Sequence, residues 1–174
     1  MEWKEELQQH TKEAEKVVQG YLPEETGHQK LLIEASNYSV LVGGKRLRPM
    51  IMLESFKAFG GTGNVVEPFM AALEMIHSGS LVHDDLPCMD NDEYRRGNLT
   101  TWKKYGYDMA VLAGDKLFIY AFETAAKAFA LTDRADLVRK AISILANKAG
   151  IYGMIGGQSV DVEYTDRPVT KSQL

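Results

Sequence analysis

The 174-residue sequence contains a single cysteine, Cys88. That excludes a disulfide framework and a thiolate metal centre, and it suits a reducing compartment. No apolar run approaches the roughly 18 residues of a membrane helix, so an integral membrane segment is not expected. The first residues, Met1-Glu2-Trp3-Lys4-Glu5-Glu6, are charged and lack the apolar stretch of a secretory signal. A soluble, cytoplasmic chain is the expectation. Neither sign of charge dominates, with 24 acidic against 20 basic residues and a net charge of −4, so bulk electrostatics disfavour nucleic acid as a partner. Nothing alternates at period two, and there is no internal repeat or low-complexity stretch, which leaves the helix as the main element.

Helical signals run the length of the chain. Residues 2–19 read as a polar, charge-laced helix stopped by Gly20 and Pro23. Residues 28–42 place Leu31, Leu32, Ala35, Tyr38 and Val42 on one stripe, ended by Gly43-Gly44. Pro49 is expected to open a helix reaching about Phe59. Asn64 with Glu67 three residues later predicts a capping box for a helix reaching Asp84–Asp85, where Pro87 interrupts it. Residues 93–106 read as irregular and polar. Residues 107–131 are apolar almost all round and predict a buried central helix, and two more follow over about 134–149 and 150–164. The fold class is all-α, a bundle of packed helices. At the end, Thr170-Lys171-Ser172-Gln173 spells another helix start.

Charges concentrate in two places. Asp84, Asp85, Asp90, Asp92 and Glu93 fall within ten positions, and Lys45, Arg46 and Arg48 within four. His77 and Asp84 are seven apart, so on one helix they point the same way to within about 20°. Asp90 would point about 120° away on an unbroken helix, and a break at Pro87 could re-aim it toward Asp84. Carboxylates gathered without enough bases repel unless a hard divalent cation sits among them, and oxygen-only ligands favour Mg²⁺. A solvated acidic helix end is the alternative. The segment Gly43-Gly44-Lys45-Arg46-Leu47-Arg48-Pro49 joins a flexible turn to three cations, either an anion cradle or a basic surface loop. Arg95-Arg96-Gly97 follows the acidic run at once and could simply pair with it. Together, one carboxylate set and two cationic sites are what a reaction on diphosphate esters would require.

These segments carry a resemblance. Gly43 through Pro49, Ile76-His77, and Leu81-Val82-His83-Asp84-Asp85-Leu86-Pro87-Cys88-Met89-Asp90 through Arg95-Arg96-Gly97 resemble the trans-prenyltransferases, the short-chain isoprenyl diphosphate synthases of the polyprenyl synthetase family. Leu112-Ala113-Gly114-Asp115 and Gly156 through Asp161 resemble further family segments in the right order, so the resemblance covers essentially the whole chain. It implies an isoprenoid synthase-type helical bundle with a central cavity, usually in a homodimer. It implies head-to-tail joining of isopentenyl diphosphate to a C5 or C10 allylic diphosphate. By carry-over, Asp84, Asp85 and Asp90 would bind Mg²⁺ on the allylic diphosphate, and Arg95 would clamp that diphosphate. Lys45, Arg48, His77 and Arg96 would hold the diphosphate of isopentenyl diphosphate. Gln158 and Asp161 match a weaker segment, for which a packing role is as good a reading.

The resemblance also bears on product length. Bulk five residues before the first aspartate limits the product in the family; here that residue is Gly79, so the tail pocket should be open unless Met75 or Phe118 fills it. A C15 product is favoured, with C20 close behind. The family's second aspartate-rich motif and the Lys-Thr pair before it are missing. Residues 1–174 therefore read as the N-terminal portion of one polyprenyl synthetase domain, lacking C-terminal helices and with little or no synthase activity expected of it alone. Two alternatives are a non-catalytic partner of a complete synthase and a plain helical interaction protein.

Overall fold

The computed structural model describes residues 3–168, 170 and 171. They form helices α1 (Trp3–Gly20), α2 (Lys30–Leu41), α3 (Leu47–Ala58) and α4 (Glu67–Asp84), a two-stranded hairpin of β1 (Tyr94–Arg95) and β2 (Asn98–Leu99), then α5 (Thr101–Tyr105) and α6 (Tyr107–Ala126). A 3₁₀ turn at Lys127–Ala130 closes the first compact unit, which ends at Asp133. The second unit, from Arg134, holds α7 (Ala135–Ala149) and α8 (Met154–Tyr164). No helix among the described residues is long and apolar enough to cross a membrane.

The first unit is organised by α4, whose most extensive packing is against α6. Small residues make that approach close. Ala110, Ala113, Gly114, Ala121 and Ala125 line the buried side of α6, and Ala71, Ala72, Ser78 and Gly79 are buried on α4. A Cβ at Gly114 would overlap the His83 imidazole of α4, so any larger residue must displace the ring or part the helices. Ala14 of α1, Met50 of α3, and Val66 and Met70 at the start of α4 form another apolar cluster, with Leu7, Val17, Leu53 and Phe56 packed against it.

Several local expectations are corrected. Helix α3 starts at Leu47 rather than Pro49, because Arg46 adopts a left-handed conformation (φ 50°) and turns the chain into the helix two residues early. The Asn64–Glu67 capping box does not form: α4 begins at Glu67 after Val66, without a side-chain cap, and the Asn64 contact is a backbone one from the Glu67 N–H to the Asn64 carbonyl (3.0 Å). The stretch 93–106 is ordered into the hairpin and α5. Helix α6 is buried on one side only, since Leu112 and Ile119 face outward and its last turn tightens to 3₁₀. The glycine-rich segment from 150 to 153 is a turn, so α8 starts only at Met154. Of the helix start at Thr170–Gln173, Ser172 and Gln173 lie outside the described residues.

Candidate functional site

The carboxylates sit where α4 ends. Pro87 cannot continue a helix, and the chain turns through bonds from the Leu86 N–H to the His83 carbonyl (3.1 Å) and from the Asn91 N–H to the Leu86 carbonyl (3.1 Å), with Asn91 left-handed (φ 56°). The turn returns Asp90 to Asp84, whose carbonyl accepts the Asp90 N–H at 2.8 Å. Burial and the neighbouring Asp90 charge push the Asp84 carboxyl above its usual range, with Arg95 opposing them. Two carboxylates that raise one another's energy in this way are relieved by a nearby cation.

Asp85 has a different environment. Its carboxylate is buried and accepts Arg95 Nε at 2.8 and 3.1 Å and Nη2 at 2.5 Å. Burial works against the ionised Asp85, and the bidentate guanidinium opposes burial. Arg95 also stands 3.7 Å from Asp92. Thus Arg95 is engaged by aspartates in this structure, the charge-pairing alternative raised by its sequence position. Among the described residues no three His, Cys, Asp or Glu side chains converge closely enough to enclose a metal ion. Asp84 lies near enough to Asp90 to feel its charge, and hard carboxylate oxygens suit Mg²⁺.

The hairpin places the next cation. Arg95 pairs with Asn98 across it, leaving Arg96 (φ 54°) and Gly97 (φ 80°) as a two-residue loop with both residues left-handed, the geometry of a type I′ turn. The hairpin is pinned at its base: Thr100 Oγ1 and Trp102 Nε1 both donate to the Asp92 carbonyl at 2.8 Å. Its tip delivers the Arg96 guanidinium to the Gly43 carbonyl. A Cβ on Gly44 would come within 2.5 Å of Arg96 Nη1, so a side chain there would displace that guanidinium. The signal for this turn was present in the sequence as a residue-glycine pair between Arg95 and Asn98.

Lys45 on the loop and Arg48 in the first turn of α3 are exposed, while Arg46 between them is buried. Arg46 donates to Glu15 of α1, to Glu74 Oε1 of α4 at 2.6 Å and to the Val40 carbonyl at 2.5 Å. One turn beyond Glu74, His77 is half-buried. Burial, then Arg48, Arg96 and Arg46, hold its imidazole below the ordinary value, with Glu74 pulling the other way. Those same influences show that Arg48 and Arg96 share the His77 neighbourhood. Composition and spacing gave no hint of the Glu15 and Glu74 partnerships, which join residues 31 and 28 positions from Arg46.

A small pocket between these groups, lined in part by Tyr38, Ser78, Asp85, Arg95 and Arg96, measures about 20 Å³, room for roughly one water. The expected opening at Gly79 is closed. A Cβ there would meet Leu117 Cβ at 3.2 Å, the Gly114 carbonyl at 3.3 Å and Phe118 Cε1 at 3.4 Å. The bulk missing from α4 is thus supplied by α6, with Phe118 among the fillers. In the second unit, Gln158 is half-buried and Asp161 exposed on α8.

Comparison with known proteins bears on the family and the fold. Residues 29–173 match the family model described as polyprenyl synthetase. The chain is 50% identical over 129 residues to a chloroplastic geranylgeranyl pyrophosphate synthase of Catharanthus roseus, covering 74% of this chain and 36% of that one. It is 39% identical over 168 residues to a farnesyl diphosphate synthase of Geobacillus stearothermophilus, covering 97% of this chain and 56% of that one. An FPP/GFPP synthase structure from Zymomonas mobilis superposes with a TM-score of 0.89 at 32% identity, over 98% of this chain and 62% of that one. This chain therefore spans about a third to two-thirds of the length of these relatives.

Proposed function

Because the chain belongs to the polyprenyl synthetase family, we propose that it serves Mg²⁺-dependent, head-to-tail condensation of isopentenyl diphosphate with a C5 or C10 allylic diphosphate. The observation that carries the reading is the division of charge along α4. Near its middle, His77 shares a neighbourhood with Arg48 and Arg96; two turns later the helix ends in Asp84, with Asp90 folded back onto it. An anion site and a cation site at opposite ends of one rigid segment can hold two diphosphate substrates in fixed relation, which removes much of the entropy cost of bringing them together.

In this reading Asp84 and Asp90, with Asp85 beside them, hold Mg²⁺ against the allylic diphosphate, and the ion neutralises charge on the departing diphosphate when bound. Arg95 exchanges Asp85 for the same diphosphate. Lys45, Arg48, His77 and Arg96 bind isopentenyl diphosphate; at neutral pH His77 acts as an uncharged hydrogen-bond donor. The packing of Leu117 and Phe118 against Gly79 supports a short tail, so farnesyl diphosphate is favoured over geranylgeranyl diphosphate. A cytoplasmic homodimer is part of the same proposal, and the single carboxylate set on this chain goes with low turnover by the chain alone.

Binding separates the two sites without requiring turnover. Calorimetry is expected to show isopentenyl diphosphate binding that is lost in Arg48→Ala, and Mg²⁺-dependent binding of an allylic diphosphate that is lost in Asp84→Ala. If neither variant affects its ligand, the synthase reading is wrong. Co-purification with an intact synthase, together with failure to bind either diphosphate, would favour a non-catalytic partner instead.

A further inference from the structure

Arg46 lies inside the basic loop, yet none of its charge is offered to solvent: its side chain is only 1% exposed. A buried guanidinium is tolerable only when its donors are satisfied and its charge is paired. Three elements do this at once. Glu15 reaches in from α1 and meets Nε and Nη2, Glu74 of α4 meets Nη1, and the last buried turn of α2 supplies the Val40 carbonyl to Nη2. Arg46 is also the left-handed residue that turns the loop into α3. The junction that sets Lys45, on the loop, against Arg48, in the first turn of α3, is therefore fixed by a side chain anchored on three other elements. Glu74 lies one helical turn before His77, so the anchor sets loop and imidazole against the same point on α4.

Glu15 is the unexpected member. It belongs to α1, which precedes the family-matched residues 29–173, and its side chain is 27% exposed where Glu74 is 4% exposed. We propose that Glu15 is a positioning residue for the isopentenyl diphosphate site, acting through Arg46 to hold Lys45 and Arg48 in register with His77. The proposal rests on the assignment of that site to Lys45, Arg48, His77 and Arg96. Glu15 touches no substrate. Without it, Arg46 keeps Glu74 and Val40 but loses the α1 side of its cradle, and the loop is free to rotate about the remaining contacts.

Position and charge predict opposite signs. Glu15 is an anion close to a cationic site, so if it acted by charge alone its removal would strengthen anion binding. If it acts by position, removal weakens binding. Calorimetry with isopentenyl diphosphate in Mg²⁺-free buffer, which leaves the carboxylate site out of the measurement, is expected to show about a tenfold loss of affinity in Glu15→Gln, in keeping with the worth of a charged hydrogen bond. Glu15→Asp keeps the charge but withdraws the carboxylate by one methylene, and it should weaken binding as well. Val18→Ala loosens α1 at a buried apolar position, lowering the melting temperature without changing affinity. Arg48→Ala tests the assignment itself. Loss of binding in Arg48→Ala with unchanged or tighter binding in Glu15→Gln would overturn the positioning role alone. No loss in Arg48→Ala would overturn the site assignment first. Equal weakening in Val18→Ala and Glu15→Gln would reduce Glu15 to a general stabiliser of α1 and also overturn the proposal.

Discussion

Gly114→Ala probes the α4–α6 contact on which the site is built. His83 of α4 lies over Gly114, with Nε2 3.1 Å from the Val111 carbonyl and 3.7 Å from Asp115 Oδ1, and its ring is edge-on to Phe118 at 5.5 Å. A methyl group at residue 114 overlaps the imidazole, so either the ring leaves or the helices separate. Overpacking of this kind costs about 1–3 kcal/mol, and loss of the carbonyl hydrogen bond about 1 kcal/mol more. Against this, replacing glycine by alanine in a helix interior gains about 1 kcal/mol. The net expectation is a loss of about 1–3 kcal/mol, read as a fall of about 2–4 °C in melting temperature for each kcal/mol. The decisive control is His83→Ala. In that background the overlap is gone, only the helix gain remains, and Gly114→Ala should be neutral or stabilising by up to about 1 kcal/mol. A double-mutant cycle by urea unfolding measures this coupling. An equal cost in both backgrounds, or a cost below about 0.5 kcal/mol in the first, would refute the contact as the reason for glycine at 114. Since His83 is adjacent to Asp84, Gly114→Ala should also weaken Mg²⁺-dependent diphosphate binding.

Two further tests use titration. The folded protein holds His77 below its ordinary value of 6.5, so neutral His77 supports the fold above about pH 6.5 and that support is lost as pH falls through the lower folded value. A bound diphosphate favours the imidazolium, so isopentenyl diphosphate binding should take up a proton on the acid side of neutrality, and His77→Gln should abolish that part of the uptake in calorimetry across buffers of different ionisation enthalpy. Lys116 has a buried Nζ without a hydrogen-bond partner, 4.5 Å from the centre of the Tyr120 ring, and burial pushes its amine down to about 8. Lys116→Met should therefore stabilise the protein by about 1 kcal/mol at pH 7. That advantage should shrink between about pH 8 and 10.5, where the unfolded wild type holds a proton the folded one has released. Urea midpoints at pH 7 and 10 check both the sign and the trend.

What could be read from the sequence was local. Helices α2, α4, α6 and α7 follow from apolar spacing and from glycine and proline punctuation, because a helix is specified by residues three and four apart. His77 and Asp84 share a face of α4 for the same reason. The break at Pro87 that returns Asp90 to Asp84 is also local chemistry, and so is the Arg96-Gly97 turn, although the polar residues around it read as an irregular loop. Helix starts were harder to place: Asn64 and Pro49 carry good start signals, but the burial of Val66 and the anchoring of Arg46 set the observed boundaries.

By itself, then, the sequence determined an all-α chain, its family, and the stock of carboxylates and cations along α4 and the loops. Tertiary structure decided what each charge does. Of three neighbouring cations, one is buried by partners on α1 and α4, and the others are left exposed. Of two adjacent aspartates, Asp85 is buried and taken up by Arg95, while Asp84 is not. The space that Gly79 leaves on α4 is filled from α6. Coulomb attraction, desolvation and close packing act through space, between groups tens of residues apart, and no spacing within the chain encodes which of them will meet.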